Sequence, residues 1–236
     1  MQTVALIGAR GFVGSAIAAA LKKESGCEVI SVTRENYAEM RRGDYDVLIN
    51  AAMPSGRFWA KNNPEKDFTE TVQKTAELLR DWKFKKFVQI STVSARCELQ
   101  TVYGKHKAEA EKLCNSGDNL IVRLTAMYSE SLAKGALADI LSGRKVFVSG
   151  ESRYAFTPLD FAGAWIAGHL ERKGIVEVGA KNSVSLAEIA ERLGEKIEFE
   201  EAVEIQEIQN PEPDFPDARD VFTFMNKMKK QWRVGK

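Results

Sequence analysis

The stretch TVALIGARGFVGSAIAAALKK (residues 3–23) opens on a short apolar run, passes through a glycine-rich turn and continues as an alanine-rich helical pattern. Gly8, Gly11 and Gly14 fall across that junction, and each has a physical use. One permits the tight strand-to-helix turn, one lets the backbone approach a pyrophosphate held at the helix N-terminus, and one lets the helix lie close to the sheet. The small residues Ser15, Ala16 and Ala19 suit that close packing. Gly8, Ala9, Arg10, Gly11, Phe12, Val13 and Gly14 are therefore the expected nucleotide-binding turn.

Outward from this turn the same rhythm repeats. Apolar runs EVISVT (28–33), DVLINAA (46–52), FVQIST (87–92) and NLIVRL (119–124) alternate with helical patterns at 12–23, 64–82 and from 103. Strand, helix, strand in this order predicts a parallel sheet covered on both faces, an α/β fold. The runs are continuously apolar, as strands buried on both sides require. Beyond about residue 129 the pattern loosens into a helix at 131–142, KVFVSG (145–150), a helix after Pro158, GIVEVG (174–179), a helix at 185–194 and KIEFEE (196–201). Ser185 and Glu188 form a capping-box signature that starts the 185–194 helix. The stretch 209–220 holds three of the six prolines and predicts an extended segment before a final basic helix.

The choice of dinucleotide turns on the end of the second strand, where an acidic residue about 20 positions past the glycines accepts from the adenosine ribose. Position 34 is Arg, whose donor fork suits a 2′-phosphate, and Arg10 can close on the same group. That favours NADP. The competing reading gives the ribose to Glu35 and leaves Arg34 a solvated charge, in which case NAD is the cofactor.

Composition narrows the function from another side. The 236 residues carry 34 basic and 33 acidic side chains, a net charge of +1, which lacks the electrostatic footprint of nucleic-acid binding. Three separated cysteines (Cys27, Cys97, Cys114) and two histidines support neither a disulfide framework nor a metal site. A reducing cytoplasm is the expected location, with no membrane span and no targeting segment.

STVSARCELQTVYGKHKAEAEKL (91–113) places Tyr103 and Lys107 four apart at the start of a helix, on one face. The spacing alone suits either an active pair or an ordinary amphipathic helix. In the first case an ammonium at ~4 Å lowers the phenol pKa by about 3 units, bringing Tyr103 towards the operating pH as a proton donor and acceptor.

These motifs together resemble the extended short-chain dehydrogenase/reductases, the NAD-dependent epimerase/dehydratase family. GARGFVG is similar to its cofactor turn, DYDVLINAA to its fourth-strand segment, KFVQIST to its active-site strand and VYGKHKAEAE to its Tyr-x-x-x-Lys helix. RYAFTPLDFAGA and VEVGAKNSVSLAEIAERL resemble its C-terminal motifs. The resemblance implies a Rossmann-type doubly wound sheet over 1–128 and a small α/β substrate lobe over 129–236, interleaved with it. It implies Thr92, Tyr103 and Lys107 as the catalytic set, with Ser91 and Ser94 as alternatives to Thr92. It adds Ala51, Ala52 and Ile90 to the cofactor site and gives Lys107 the nicotinamide ribose. Arg153 is the implied substrate residue, the substrate a small molecule, a nucleotide-activated sugar, and the protein a homodimer through helices at about 64–82 and 103–114.

The sequence also departs from the family pattern. ENYAEMRRGDY (35–45) is too short for the strand usual there, Thr71 stands where the family has Asn, and Arg123 is followed by Leu124. Val93 and Ser94 replace the Asp-Glu pair of sugar dehydratases, which disfavours dehydration. Cys97 and His106 read as a loop thiol and an exposed helix histidine. What remains is a reductase or 4-epimerase of a carbonyl or alcohol. The alternative is a catalytically silent NADP-binding sensor of the same fold.

Overall fold

The computed structural model describes residues 1–24 and 26–234. Five strands, β1 (Gln2–Ile7), β2 (Cys27–Val32), β3 (Asp44–Asn50), β4 (Lys83–Thr92) and β5 (Leu120–Leu124), join Gly174–Val178 in one sheet. Its order is β2-β1-β3-β4-β5 and then Gly174–Val178, parallel from β2 through β5. The apolar runs explain the burial: Val4, Ala5 and Leu6, then Leu48 and Ile49, then Phe87 and Val88, then Leu120, Ile121 and Val122 have almost no exposed surface. Consecutive buried residues need cover on both faces, and each large one stabilises the fold by about 1.5–3 kcal/mol.

Helices α1 (Phe12–Leu21), α2 (Tyr37–Met40), α3 (Arg57–Asn62), α4 (Pro64–Phe68), α5 (Lys74–Asp81), α6 (Ser94–Cys97) and α7 (Val102–Cys114) come between these strands. The helix expected over 64–82 is interrupted: Thr69–Gln73 forms a π turn that joins α4 to α5 and carries Thr71 inward, fully buried. Between β2 and β3 the segment 33–43 forms only α2, so β2 is the sheet edge and the strand that usually lies outside it is missing. Asn36 closes that connection, accepting from Thr33 N at 2.7 Å and donating to Ser31 O at 3.0 Å.

The chain divides into two units, Met1–Leu124 with Asp160–Val176 and Thr125–Leu159 with Glu177 onward. Helix α8 (Ala136–Leu141) belongs to the second unit and α9 (Leu159–Gly168) essentially to the first. In the first unit α9 lies so close to α1 that a Cβ on Gly163 would sit 2.8 Å from the Ala16 Cβ. The second unit has its own core, with Tyr154, Phe156, Leu186, Ile189, Val221 and Met225 among its members. Its strands are short: Arg153–Tyr154 pairs antiparallel with Val184–Ser185 and parallel with Ile205–Gln206. KVFVSG and KIEFEE run beside each other, Val146 N–H donating to Glu198 O (2.9 Å) and Glu200 N–H to Val146 O (3.2 Å), with an isolated bridge between Val146 and Phe199. Helix α10 (Leu186–Leu193) starts on the complete Ser185/Glu188 capping box and ends at Gly194, φ +64°. Helix α11 (Asp220–Val234) follows the proline-rich segment.

Candidate active site

The glycine turn follows β1 directly. Gly8 has φ +83°, and a Cβ there would lie 2.6 Å from Ala51 O, so only glycine fits. Gly14 is held as closely, since its Cβ would fall 2.1 Å from Gly8 O. Gly11 donates its N–H to Gly8 O at 2.8 Å and caps α1 with no side chain, and the first turn of α1 has no acidic residue. That end of α1 offers unfilled N–H groups, the donor set a pyrophosphate takes. Ala51 is fixed beside it by its N–H to Ile7 O (2.9 Å), and Ala52 by its N–H to Asn50 Oδ1 (3.2 Å). Asn50 is itself held by the buried Gln89, whose Oε1 accepts from Asn50 Nδ2 at 3.1 Å. Ile90 is buried one residue further along β4.

Thr92 ends β4, next to β3 in the sheet, so it shares the carboxyl edge with Gly8 and Ala51. The connection from Thr92 to Tyr103 is structured, with α6 in its first half and Thr101 capping α7 by accepting from Gly104 N at 2.9 Å. A Cβ on Gly104 would fall 2.2 Å from Glu98 O, so α7 rests on the 94–98 backbone. Tyr103 and Lys107, 8% and 3% exposed, share the inner face of α7, with Lys107 Nζ 5.2 Å above the phenol ring centroid. Lys107 donates to Pro54 O at 2.8 Å, and the Thr92 hydroxyl donates to Ser94 Oγ at 3.3 Å. Ser94 N donates to Thr92 Oγ1 at 3.2 Å and orients that hydroxyl.

The electrostatics reverse the sequence-based expectation for the phenol. Burial pushes Tyr103 up to about 12, and the strongest opposing charge is the Arg57 guanidinium, followed by the Thr92 hydrogen bond. Burial also drives Lys107 down to about 7, with Asp67 and Glu111 holding it up. Desolvation outweighs the attraction that spacing alone suggests. In this chain Tyr103 is a neutral phenol at physiological pH.

Residues remote in sequence complete the site. Arg57 of α3 donates to Glu98 Oε1 at 3.1 Å, and both act on Tyr103. Asp67 of α4, with no exposed surface, meets His106 Nδ1 at 2.7 Å. His106 is therefore not an exposed helix histidine: its side chain is 18% exposed and packs edge-on against Phe68. Cys97 is partly buried, its thiol donating to Val93 O at 3.2 Å. The segment PSGR after β3 and the Asp in NPEKDF were the available signals, but nothing local couples them to α7.

Residues 4–140 match the profile of the NAD dependent epimerase/dehydratase family. The chain belongs to that family. Among curated proteins none matches it. Similar solved structures include RMD from Pseudomonas aeruginosa in complex with NADPH, at 15% identity and TM-score 0.76 over 98% of this chain and 100% of that one. A dTDP-4-dehydrorhamnose reductase from Clostridium acetobutylicum aligns at 14% identity and TM-score 0.76, covering 96% and 99%. A UDP-glucuronic acid 4-epimerase from Bacillus cereus in complex with NAD aligns at 18% and 0.73, covering 99% and 98%.

Within this epimerase/dehydratase family member, Arg10, Arg34 and Glu35 cluster beyond β2. Arg10 lies 3.8 Å from Glu35, whose carboxyl is held below its usual range first by Thr33 and its own backbone N–H, then by Arg10 and Arg34. Arg34 lines a hollow of about 550 Å³ with Ala52, Pro54, Trp59 and Lys66. Arg153 lies in the second unit, its guanidinium donating to the Ser183 hydroxyl (3.0 Å) and carbonyl (2.9 Å), 3.6 Å from Glu207. Glu111 is clasped by Arg123 at 2.6 Å and accepts from Ser91 at 2.6 Å, which makes Ser91 a structural hydroxyl. Among the described residues no cluster of His, Cys, Asp and Glu is placed to hold a metal, and no helix is long and apolar enough to cross a membrane.

Proposed function

We propose that the protein is an NADP-dependent reductase or 4-epimerase acting on a carbonyl or alcohol of a nucleotide-activated sugar. The observation that carries this reading is the buried Tyr103 with Lys107 Nζ over its phenol ring and Thr92 at the end of β4, on the sheet edge that bears the Gly8–Gly14 turn. The turn fits a dinucleotide: Gly8 and Gly14 leave no room for side chains, and the α1 N-terminus is uncapped. Gly8 to Gly14 would take the pyrophosphate, Ala51, Ala52 and Ile90 would line the cofactor, and Lys107 would hold the nicotinamide ribose. Arg34 and Arg10 would meet the 2′-phosphate, with Trp59 and Lys66 around the adenosine in the hollow that Arg34 lines. Bound there, the nicotinamide supplies hydride chemistry.

The chain's own residues handle the proton. Thr92 donates to the substrate oxygen and orients it. Tyr103, a neutral phenol, gives its proton to that oxygen as negative charge develops, and the Arg57 guanidinium stabilises the resulting phenolate. In the oxidative direction the same phenolate accepts the proton. Val93 is buried and Ser94 is engaged with Thr92, so no carboxylate pair follows Thr92 to support elimination. The neighbours named for dTDP-4-dehydrorhamnose and UDP-glucuronic acid support a nucleotide sugar, and the RMD complex supports NADPH. Arg153 is the proposed substrate contact. The test is mass spectrometry of the nucleotide and sugar that co-purify, followed by NADPH oxidation with keto-sugar nucleotides. Turnover with none of them, under conditions where NADPH binds, would overturn the enzymatic reading.

A further inference from the structure

The first unit buries three polar side chains beneath the cofactor turn, Asn50 of β3, Thr75 of α5 and Gln89 of β4, and their donors and acceptors fix one another's direction. Thr75 gives its hydroxyl proton to Thr71 O, inside the π turn, at 2.7 Å, because a carbonyl only accepts. The Thr75 oxygen is then left to accept. Two amide groups turn their donors to it at 3.5 Å, Asn50 Nδ2 and Gln89 Nε2. Gln89 Nε2 also meets Met53 Sδ at 2.9 Å, while Gln89 Oε1 accepts from Asn50 Nδ2 at 3.1 Å. With its nitrogen drawn inward, Asn50 presents Oδ1 to the chain beyond β3, where it accepts from Ala52 N at 3.2 Å. One hydroxyl thus dictates which way both amides face.

That choice sets a peptide at the cofactor turn. In a trans peptide the carbonyl and the N–H point opposite ways, so an Ala52 N–H held by Asn50 turns the Ala51 carbonyl to the glycine turn, 2.6 Å from where a Gly8 Cβ would stand. Ala52 is exposed, and without Asn50 its N–H turns to water. We propose that Thr75 is a positioning residue of the dinucleotide cleft: through Asn50 and Gln89 its hydroxyl holds the Ala51–Ala52 peptide in the one orientation that packs on Gly8. The inference rests on the reading of Gly8–Gly14 as the dinucleotide turn. A wall fixed in advance costs no ordering when the cofactor binds, so the effect falls on affinity.

The test compares Thr75→Val, which keeps the shape and loses the hydroxyl, with Thr75→Ser, which keeps the hydroxyl. Two quantities are read on the full chain: hydrogen exchange of the 15N-labelled Ala52 amide without nucleotide, relative to amides of β4, and the Kd for NADPH by titration. In Thr75→Val the Ala52 amide exchanges about tenfold faster or more and the Kd rises about tenfold, while Thr75→Ser stays within about twofold on both. A merely structural hydroxyl would lower Tm and speed the β4 amides equally, with Kd unmoved. Should Thr75→Val fail to fold, Gln89→Met opens the same relay at its next member, with the same two expected changes. If Ala52 exchange in the variant stays within about twofold of wild type, or if it quickens and Kd does not move, the inference is overturned; NADPH binding by the wild type then leaves the functional reading standing. If the wild type binds no NADPH while Ala52 exchange responds to Val and not to Ser, the cofactor reading falls and the hold on the peptide stands.

Discussion

Replacing Lys107 by Met should stabilise the nucleotide-free protein while removing its activity, and the gain should depend on pH with a calculable sign. The ammonium ordinarily titrates at 10.5 and here near 7, a difference worth about 5 kcal/mol at 1.36 kcal/mol per pH unit. The folded pKa is depressed, so at pH 6 both native and unfolded chains hold the proton and the native state bears the full desolvation cost. Between pH 7 and 10.5 the native lysine has released its proton while the unfolded one still binds it, so stability rises with pH. At pH 9 about 2 kcal/mol of the penalty remains, and the advantage of Met over Lys should shrink by about 3 kcal/mol between pH 6 and pH 9. The measurement is urea unfolding of wild type and variant at both pH values; the difference between them cancels the other titrating groups. A variant no more stable than wild type at pH 6, or an advantage that does not narrow by pH 9, would refute the argument that burial controls this side chain.

Three further outcomes follow from the same geometry. Tyr103→Phe should leave NADPH binding unchanged within twofold and lower kcat by about 10²–10⁴, read by steady-state kinetics and nucleotide titration. Gly104→Ala should cost about 1–3 kcal/mol in thermal unfolding, since its methyl meets the Glu98 carbonyl at 2.2 Å, and kcat should fall with the displaced phenol. Arg34→Ala should raise the Kd for NADPH by about tenfold or more and leave that for NADH nearly unchanged; an equal effect on both would remove Arg34 from 2′-phosphate recognition.

The parts of the site that were legible in the sequence are those fixed by local spacing. The three glycines sit on one turn, and Tyr103 and Lys107 share one helix face, so neither needs distant information. The loss of the strand between β2 and β3 was also legible, because eleven residues cannot hold a crossover and a strand. The titration of Tyr103 was not: spacing suggests an ammonium that acidifies the phenol, whereas its burial, set by the whole fold, dominates. Arg57, Asp67 and Glu98 were missed for a related reason. Their partners lie 39 to 41 positions away, joined by the packing of α3 and α4 on α7 and by a π turn that no periodicity announces. His106 changed from a surface residue to a half-buried one because of a single carboxylate opposite it.

The return of the chain to the first unit at 160–176 bears on how this protein can be cut. A fragment ending at Leu124 would keep the glycine turn, Thr92, Tyr103 and Lys107, yet it would lack α9 and the sixth strand. The close seat of Gly163 on Ala16 would be empty, baring the outer face of the helix that begins at the nucleotide turn. The last strand of the sheet would then be β5, with a newly unpaired row of backbone groups beside Leu120–Leu124. Such a fragment should self-associate through that edge, and a soluble excised version would have to be a permutant that carries 160–176 back onto the sheet.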